Sequence, residues 1–130
     1  MTKEEKILLL KDLCARLPYD VLCKTDDGVL PLKDVYIDGA VGNEGQLRLS
    51  NCKYGGIYQS LDKVKPYLRP MSSMTEEEEN EYRAINCYEG LFPHNEDAFD
   101  YVLSHHFDYR GLIEKGLALE APEGMYNKMI

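Results

Sequence analysis

The first eighteen residues alternate apolar and polar positions at helical spacing. Ile7, Leu10, Cys14 and Leu17 recur three or four residues apart, and Leu9 and Leu13 widen the stripe. Lys3, Lys6, Lys11, Asp12 and Arg16 fall to the expected wet side. Thr2-Lys3-Glu4-Glu5 has the form of a capping box: the threonine hydroxyl takes the glutamate amide, and the glutamate side chain reaches back. Pro18 disfavours helical geometry at Leu17, so the helix should stop there.

From Tyr19 to Leu61 the period shortens. Tyr19–Lys24, Leu30–Ile37, Gln46–Ser50 and Ile57–Leu61 are short apolar or alternating runs. Asp26-Asp27-Gly28, Asp38-Gly39, Gly42-Asn43-Glu44-Gly45 and the stretch from Asn51 to Gly56 separate them, with residues that supply the positive φ of tight turns. Strands this short and this close predict a small, strongly bent antiparallel sheet or an SH3-like barrel. Pro31 belongs at an edge or a bulge, because it has no amide to give a ladder.

Pro66 and Pro70 are expected to end the β region. Thr75-Glu76-Glu77-Glu78 repeats the capping-box form and opens a second helix, with its glutamates at the positive end of the dipole. Glu79 and Arg83 stand at i,i+4 on that helix, and Tyr82 and Ile85 give it an apolar side. After a break at Gly90–Asn95, Asn95 caps a third helix whose apolar face is read as Phe99, Val102, Leu103 and His106. Gly111 and Gly116 bracket a turn, Leu117 and Leu119 suggest a short strand or an extended docking segment, and Pro122-Glu123-Gly124 precedes a tail expected to fray. The fold expected is α+β: an N-terminal helix (1–18), a small antiparallel SH3-like sheet or barrel (19–70), and a part (71–130) whose two C-terminal helices pack on it.

A chain of 130 residues suits one domain, and 44% hydrophobic content argues for a folded core. Fifteen Lys+Arg against 23 Asp+Glu give a net charge of -8, which opposes unspecific binding to nucleic acid or to an anionic membrane. The N-terminal residues lack the pattern of a signal peptide, and Cys14, Cys23, Cys52 and Cys87 include no Cys-x-x-Cys pair. Free thiols and a cytoplasmic location follow as expectations.

Two groups of residues bear on chemistry. Arg48, Lys53, Tyr54, Tyr58, Lys63, Lys65 and Arg69 form the one basic-aromatic concentration; Arg48, Lys53, Tyr54, Tyr58 and Arg69 are the candidates for a ligand groove, for instance one holding a nucleotide. His105, His106 and Asp108, with Arg110, form a possible second site. Adjacent histidines on a helix diverge by about 100°, and no supporting pair stands at i,i+3 or i,i+4, so the sequence assigns no metal site, no cofactor and no catalytic set. Gly39, Gly42 and Gly45 precede an alternating run rather than a helix, and so read as a hairpin loop, not a phosphate cradle.

"MTKEEKILLLKDLCARLPY", "VKPYLRPMSSMTEEE" and "HHFDYRGLIEKGLALEAPEGMY" together resemble an uncharacterised family of small proteins from Bacteroides-type gut bacteria, their prophages and mobile elements. The resemblance covers somewhat under half of the chain and implies a setting, phage or mobile DNA inside a bacterial host cell, without implying an activity. Three readings follow. The first is a non-enzymatic interaction protein that binds a bacterial host protein through a tyrosine-rich face. The second is a protein that sequesters a nucleotide or signalling molecule. The third is a small hydrolase using the His105/His106 region. The sequence leaves homo-oligomerisation open.

Overall fold

The computed structural model describes residues 2–26, 28–37, 45–49, 57–86 and 95–126. Thr2 caps the first helix, α1 (Lys3–Arg16), as the sequence predicts: its Oγ1 accepts from the Glu5 amide at 3.1 Å, and its own amide donates to Glu5 Oε1 at 2.8 Å. The helix gives way at Leu17–Tyr19 to a single 3-10 turn carrying Pro18, and Asp20 takes a left-handed φ of 52°.

The buried face of α1 differs from the expected stripe. Leu9, Asp12, Leu13 and Arg16 are buried, while Ile7 is 53% exposed and Cys14 lies at the surface. Asp12 and Arg16, expected in water, point into the protein. They enter as a pair: Arg16 Nε donates to Asp12 Oδ2 at 2.6 Å across one helical turn. Two polar residues in the i,i+3,i+4,i+7 pattern mask the true apolar face from a hydrophobicity reading.

Four strands coincide with the short runs: β1 (Leu22–Thr25), β2 (Gly28–Ile37), β3 (Gly45–Leu49) and β4 (Ile57–Ser60). They pair in order as antiparallel neighbours. Gly28, at a φ of 107°, starts β2 opposite Thr25 and makes the tight return possible. Pro31 pairs opposite Leu22 at the end of the β1 ladder, just before the β2–β3 register shifts between Leu32 and Asp34. That junction satisfies the requirement for a bulge or an edge.

A fifth strand, β5 (Lys65–Pro70), corrects the expectation that Pro66 and Pro70 end the β region. Its three ladders, to β1, β6 (Phe107–Asp108) and β7 (Leu119–Glu120), are each two residue pairs long. Partners that short do not need a donor at every position, so the prolines are tolerated. The β1–β5 pairing is antiparallel, but β5 runs parallel to both β6 and β7. The expected antiparallel SH3-like barrel is therefore replaced by a mixed sheet, ordered β4-β3-β2-β1-β5-β6 with β7 also on β5, whose ends do not meet among the described residues. The physical reason lies in the connection. After β5 the chain runs through α2 (Glu76–Asn86) and α3 (Asn95–Ser104) and returns in the direction of β5, as a long helical crossover allows. The added strands extend the sheet instead of closing it.

Two cores result. Leu9 and Leu13 of α1 pack with Val21, Cys23, Leu32 and Leu68 of the sheet region, and with Leu112 and Leu117 near the C-terminus. Each fully buried leucine contributes about 1.5–3 kcal/mol. The second core joins Tyr101, Val102 and Phe107 to Met71, Met74, Tyr82, Ile85 and Tyr109, and so docks α2 on α3.

Candidate functional site

The second capping box is also the place where α2 meets the sheet. Thr75 Oγ1 accepts from the Glu78 amide at 3.1 Å, and the Thr75 amide donates to Glu78 Oε1 at 3.0 Å. The same carboxylate receives Arg69 twice, from Nη1 at 2.8 Å and from Nη2 at 2.7 Å. These bonds from Arg69 outweigh burial and hold the Glu78 carboxyl down at about 2. The Arg69 guanidinium also lies 4.3 Å from the centroid of the Phe107 ring.

His106 follows α3 rather than belonging to its apolar face, because the helix ends at Ser104, with His105 directly after it. His105 stacks on Tyr101 at 4.1 Å between centroids, with its Nδ1 2.9 Å from Tyr101 O. Tyr101 in turn donates its hydroxyl to Glu81 Oε2 at 3.2 Å, and burial together with that carboxylate pushes the phenol up to about 12. His106 occupies the left-handed position after the helix, φ 63°, which glycine usually takes. Its amide donates to Leu103 O at 3.0 Å and its carbonyl accepts from the Arg69 amide at 2.7 Å. A non-glycine residue there costs about 1–2 kcal/mol, offset by the bonds on both sides and by packing. The ring is 7% exposed and stacks on Tyr126 at 3.7 Å, and its Nδ1 has no hydrogen-bond partner among the described residues. Burial first, and the Arg16 charge second, lower its pKa to about 4, so the imidazole is neutral near pH 7.

Tyr126 overturns the expected fraying as far as residue 126. Its hydroxyl donates to Tyr67 O at 2.7 Å and accepts from the Leu22 amide at 3.0 Å, tying β5 to β1. Tyr19, Arg69, Glu77, Glu81, His106 and Tyr126 are among the residues lining a cleft of about 580 Å³. A second cleft of about 440 Å³ shares Arg69, Thr75 and Tyr126 with it and extends past Glu120 and Glu123. Together they make a groove between the start of α2 and the C-terminal segment.

Of the residues singled out in the sequence, Arg69, His105 and His106 meet in this groove. Asp108 and Arg110 serve elsewhere. The buried Asp108 carboxylate accepts from the Leu112 and Ile113 amides, both at 2.9 Å, and so caps the turn after β6. Arg110 Nε donates to Asp12 Oδ1 at 3.2 Å, and Arg16 Nη2 donates to Phe107 O at 2.6 Å, so one buried network joins α1 to the β6 turn. Arg48 and Tyr58 are register partners on β3 and β4, and β2 and β1 separate β3 from the strand that carries Arg69. Lys53 and Tyr54 lie outside the described residues, as do the Gly39 and Gly42 loop and the thiols Cys52 and Cys87. Cys14 and Cys23 are free, and burial raises the Cys23 thiol to about 12. Sequence reasoning missed Glu78 as a partner for Arg69, and Tyr126 altogether. A separation of nine positions between Arg69 and Glu78 gave no pairing signal, and a tyrosine after a turn resembles any tail residue.

Among the described residues, no three His, Cys, Asp or Glu side chains are placed to hold a metal ion, and no helix is long and apolar enough to cross a membrane. The chain matches no family model, no curated protein and no solved structure.

Proposed function

We infer that the protein is a non-enzymatic interaction protein of a phage or mobile element, acting in the cytoplasm of a bacterial host by binding a host protein. The resemblance of its three segments supplies the setting, and the groove supports the binding mode. The observation that carries the reading is the state of Arg69. Its guanidinium is held by both oxygens of Glu78, so it is not free for a phosphate, while Glu77 and Glu81 line the same cleft with Tyr19 and Tyr126. An acidic groove with aromatic faces suits a protein segment carrying lysine or arginine better than a nucleotide. Of the groups proposed for hydrolysis, His105 is engaged with Tyr101 O, Asp108 with two amides and Arg110 with Asp12, while His106 is buried and stacked on Tyr126. That supports binding over catalysis.

Immobilised wild-type protein, exposed to host lysate beside a Glu77→Lys/Glu81→Lys variant, tests the reading. It expects a stoichiometric host protein on the wild type that the variant loses. Equal retention by both would remove the groove from the interface. No retained protein, with a nucleotide carried through native purification, would favour sequestration instead.

A further inference from the structure

On the sheet, β1 and β5 bring Lys24 and Lys65 into register as direct cross-strand partners. Residues so paired project from the same face, a few ångströms apart, and like charges in that relation repel. The arrangement offers Lys24 no relief on its other side, where its register partner on β2 is Val29, 45% exposed. Lys63, at the end of the 3-10 turn before β5, joins them, and the three lysines line a cleft of about 240 Å³ with Thr25, Asp26 and Leu119. All three are exposed; among the described residues none of them is in an ion pair, and the Asp26 carboxylate is the single acidic group lining that cleft. In a chain of net charge -8, three lysines lining one cleft run counter to the whole. The basic-aromatic concentration of the sequence already contained Lys63 and Lys65, and the fold adds Lys24 from 39 positions before Lys63.

We propose that Lys24, Lys63 and Lys65 form a binding site for a phosphate dianion, free or as the terminal group of a small phosphate ester. Ammonium groups on flexible stems bind phosphate as point charges, and three of them can surround one tetrahedral anion without the planar fork of an arginine. The cleft has room for a phosphate with a small appended group, and Leu119 offers that group an apolar wall. The site is separate from the acidic groove: its lining shares no residue with either of the two clefts there. It therefore stands whether or not the groove binds a host protein.

Melting temperature is read for wild type and for Lys24→Gln/Lys65→Gln in rising inorganic phosphate at pH 7.5, with sodium chloride of equal ionic strength as the reference and ribose 5-phosphate as the ester probe. The wild type is expected to gain a stabilisation over chloride that saturates in the millimolar range, and the double variant to gain none. Lys63→Gln should weaken the phosphate midpoint severalfold. In chloride alone, the double variant should melt no lower than wild type, because it removes a repelling pair. Saturation with phosphate but not with the ester would restrict the ligand to the free anion, and the site would stand. Equal shifts in chloride and phosphate, an undiminished phosphate shift in the double variant, or a variant that melts lower than wild type in chloride would overturn the proposal.

Discussion

Two arginine–carboxylate pairs fasten helices to the sheet, and they live in different surroundings. Asp12 and Arg16 are wholly buried, with side-chain exposure of 0% each, while Arg69 and Glu78 remain 18% and 16% exposed beside a cleft. The buried pair has no water to fall back on, so it depends on further protein partners: Phe107 O for Arg16 and Arg110 for Asp12. The cleft-side pair is bidentate, and its carboxylate also closes a helix cap. Identical chemistry thus sets a fixed joint in one place and an adjustable wall in the other. Desolvation decides which, since removing one member of a buried pair strands a charge, whereas water can replace a partner at the surface.

The sharpest way to break this contrast is Asp12→Ala. It strands Arg16 in the core and should cost about 3–5 kcal/mol by urea unfolding. The double change Asp12→Leu/Arg16→Met removes both charges and should recover much of that loss; a double variant as unstable as the single one would show that shape, not charge, holds α1.

Acid comes next. His106 lies within the field of both arginines, and its folded pKa, about 4, is below its ordinary value of 6.5. The unfolded chain therefore takes up the proton first, so stability is complete above pH 6.5 and falls between 6.5 and 4, by roughly 3 kcal/mol in all. Unfolding midpoints through that range, with an imidazole titration by NMR, check the window. A ring that titrates near 6.5 would refute it.

Glu78→Gln should cost less, roughly 1–2 kcal/mol after allowing for solvent screening, as it weakens the bonds to Arg69 and keeps the cap. Its sign follows from a folded pKa near 2 against 4.5: the contribution is present above 4.5 and fades as pH falls toward 2. The smallest effect belongs to Glu76→Gln/Glu77→Gln, exposed at the start of α2, which should change stability by about 1 kcal/mol or less. If that pair cost more than Glu78→Gln, the acidic run would have a structural role beyond the helix dipole.

The local chemistry of the chain was legible in its sequence, and the distant pairing was not. Both capping boxes, the Glu79–Arg83 pair and the first four strands follow from spacing and turn residues alone. Arg83 Nη2 lies 2.9 Å from Glu79 Oε1, as the i,i+4 spacing requires. The fifth strand was hidden because prolines argue against a strand only where a long ladder needs their amides, and here the ladders are short. In α1 polarity does not mean exposure: Asp12 and Arg16 satisfy each other, and no hydropathy pattern records that. For the groove, the sequence offered Arg69, His105 and His106 as separate candidates. What joins them is a parallel β5–β6 pairing, the Arg69–Phe107 register, which depends on a crossover that no local signal encodes.

The Tyr126 hydroxyl has a consequence for synthesis. It bridges the Leu22 amide, 104 positions earlier, and Tyr67 O, 59 positions earlier. A nascent chain can form α1 and its hairpins as they leave the ribosome, since those contacts are near neighbours. The bridge beside the seam between the first and fifth strands must wait until residue 126 has cleared the exit tunnel. Until then, Leu22 and Tyr67 present an unclosed amide and carbonyl, and the partly made chain carries a sticky edge. Closing it joins segments separated by nearly the whole described chain, the kind of contact that slows folding most. A tyrosine that reads as an ordinary tail residue thus acts as a clasp across two strands made long before it.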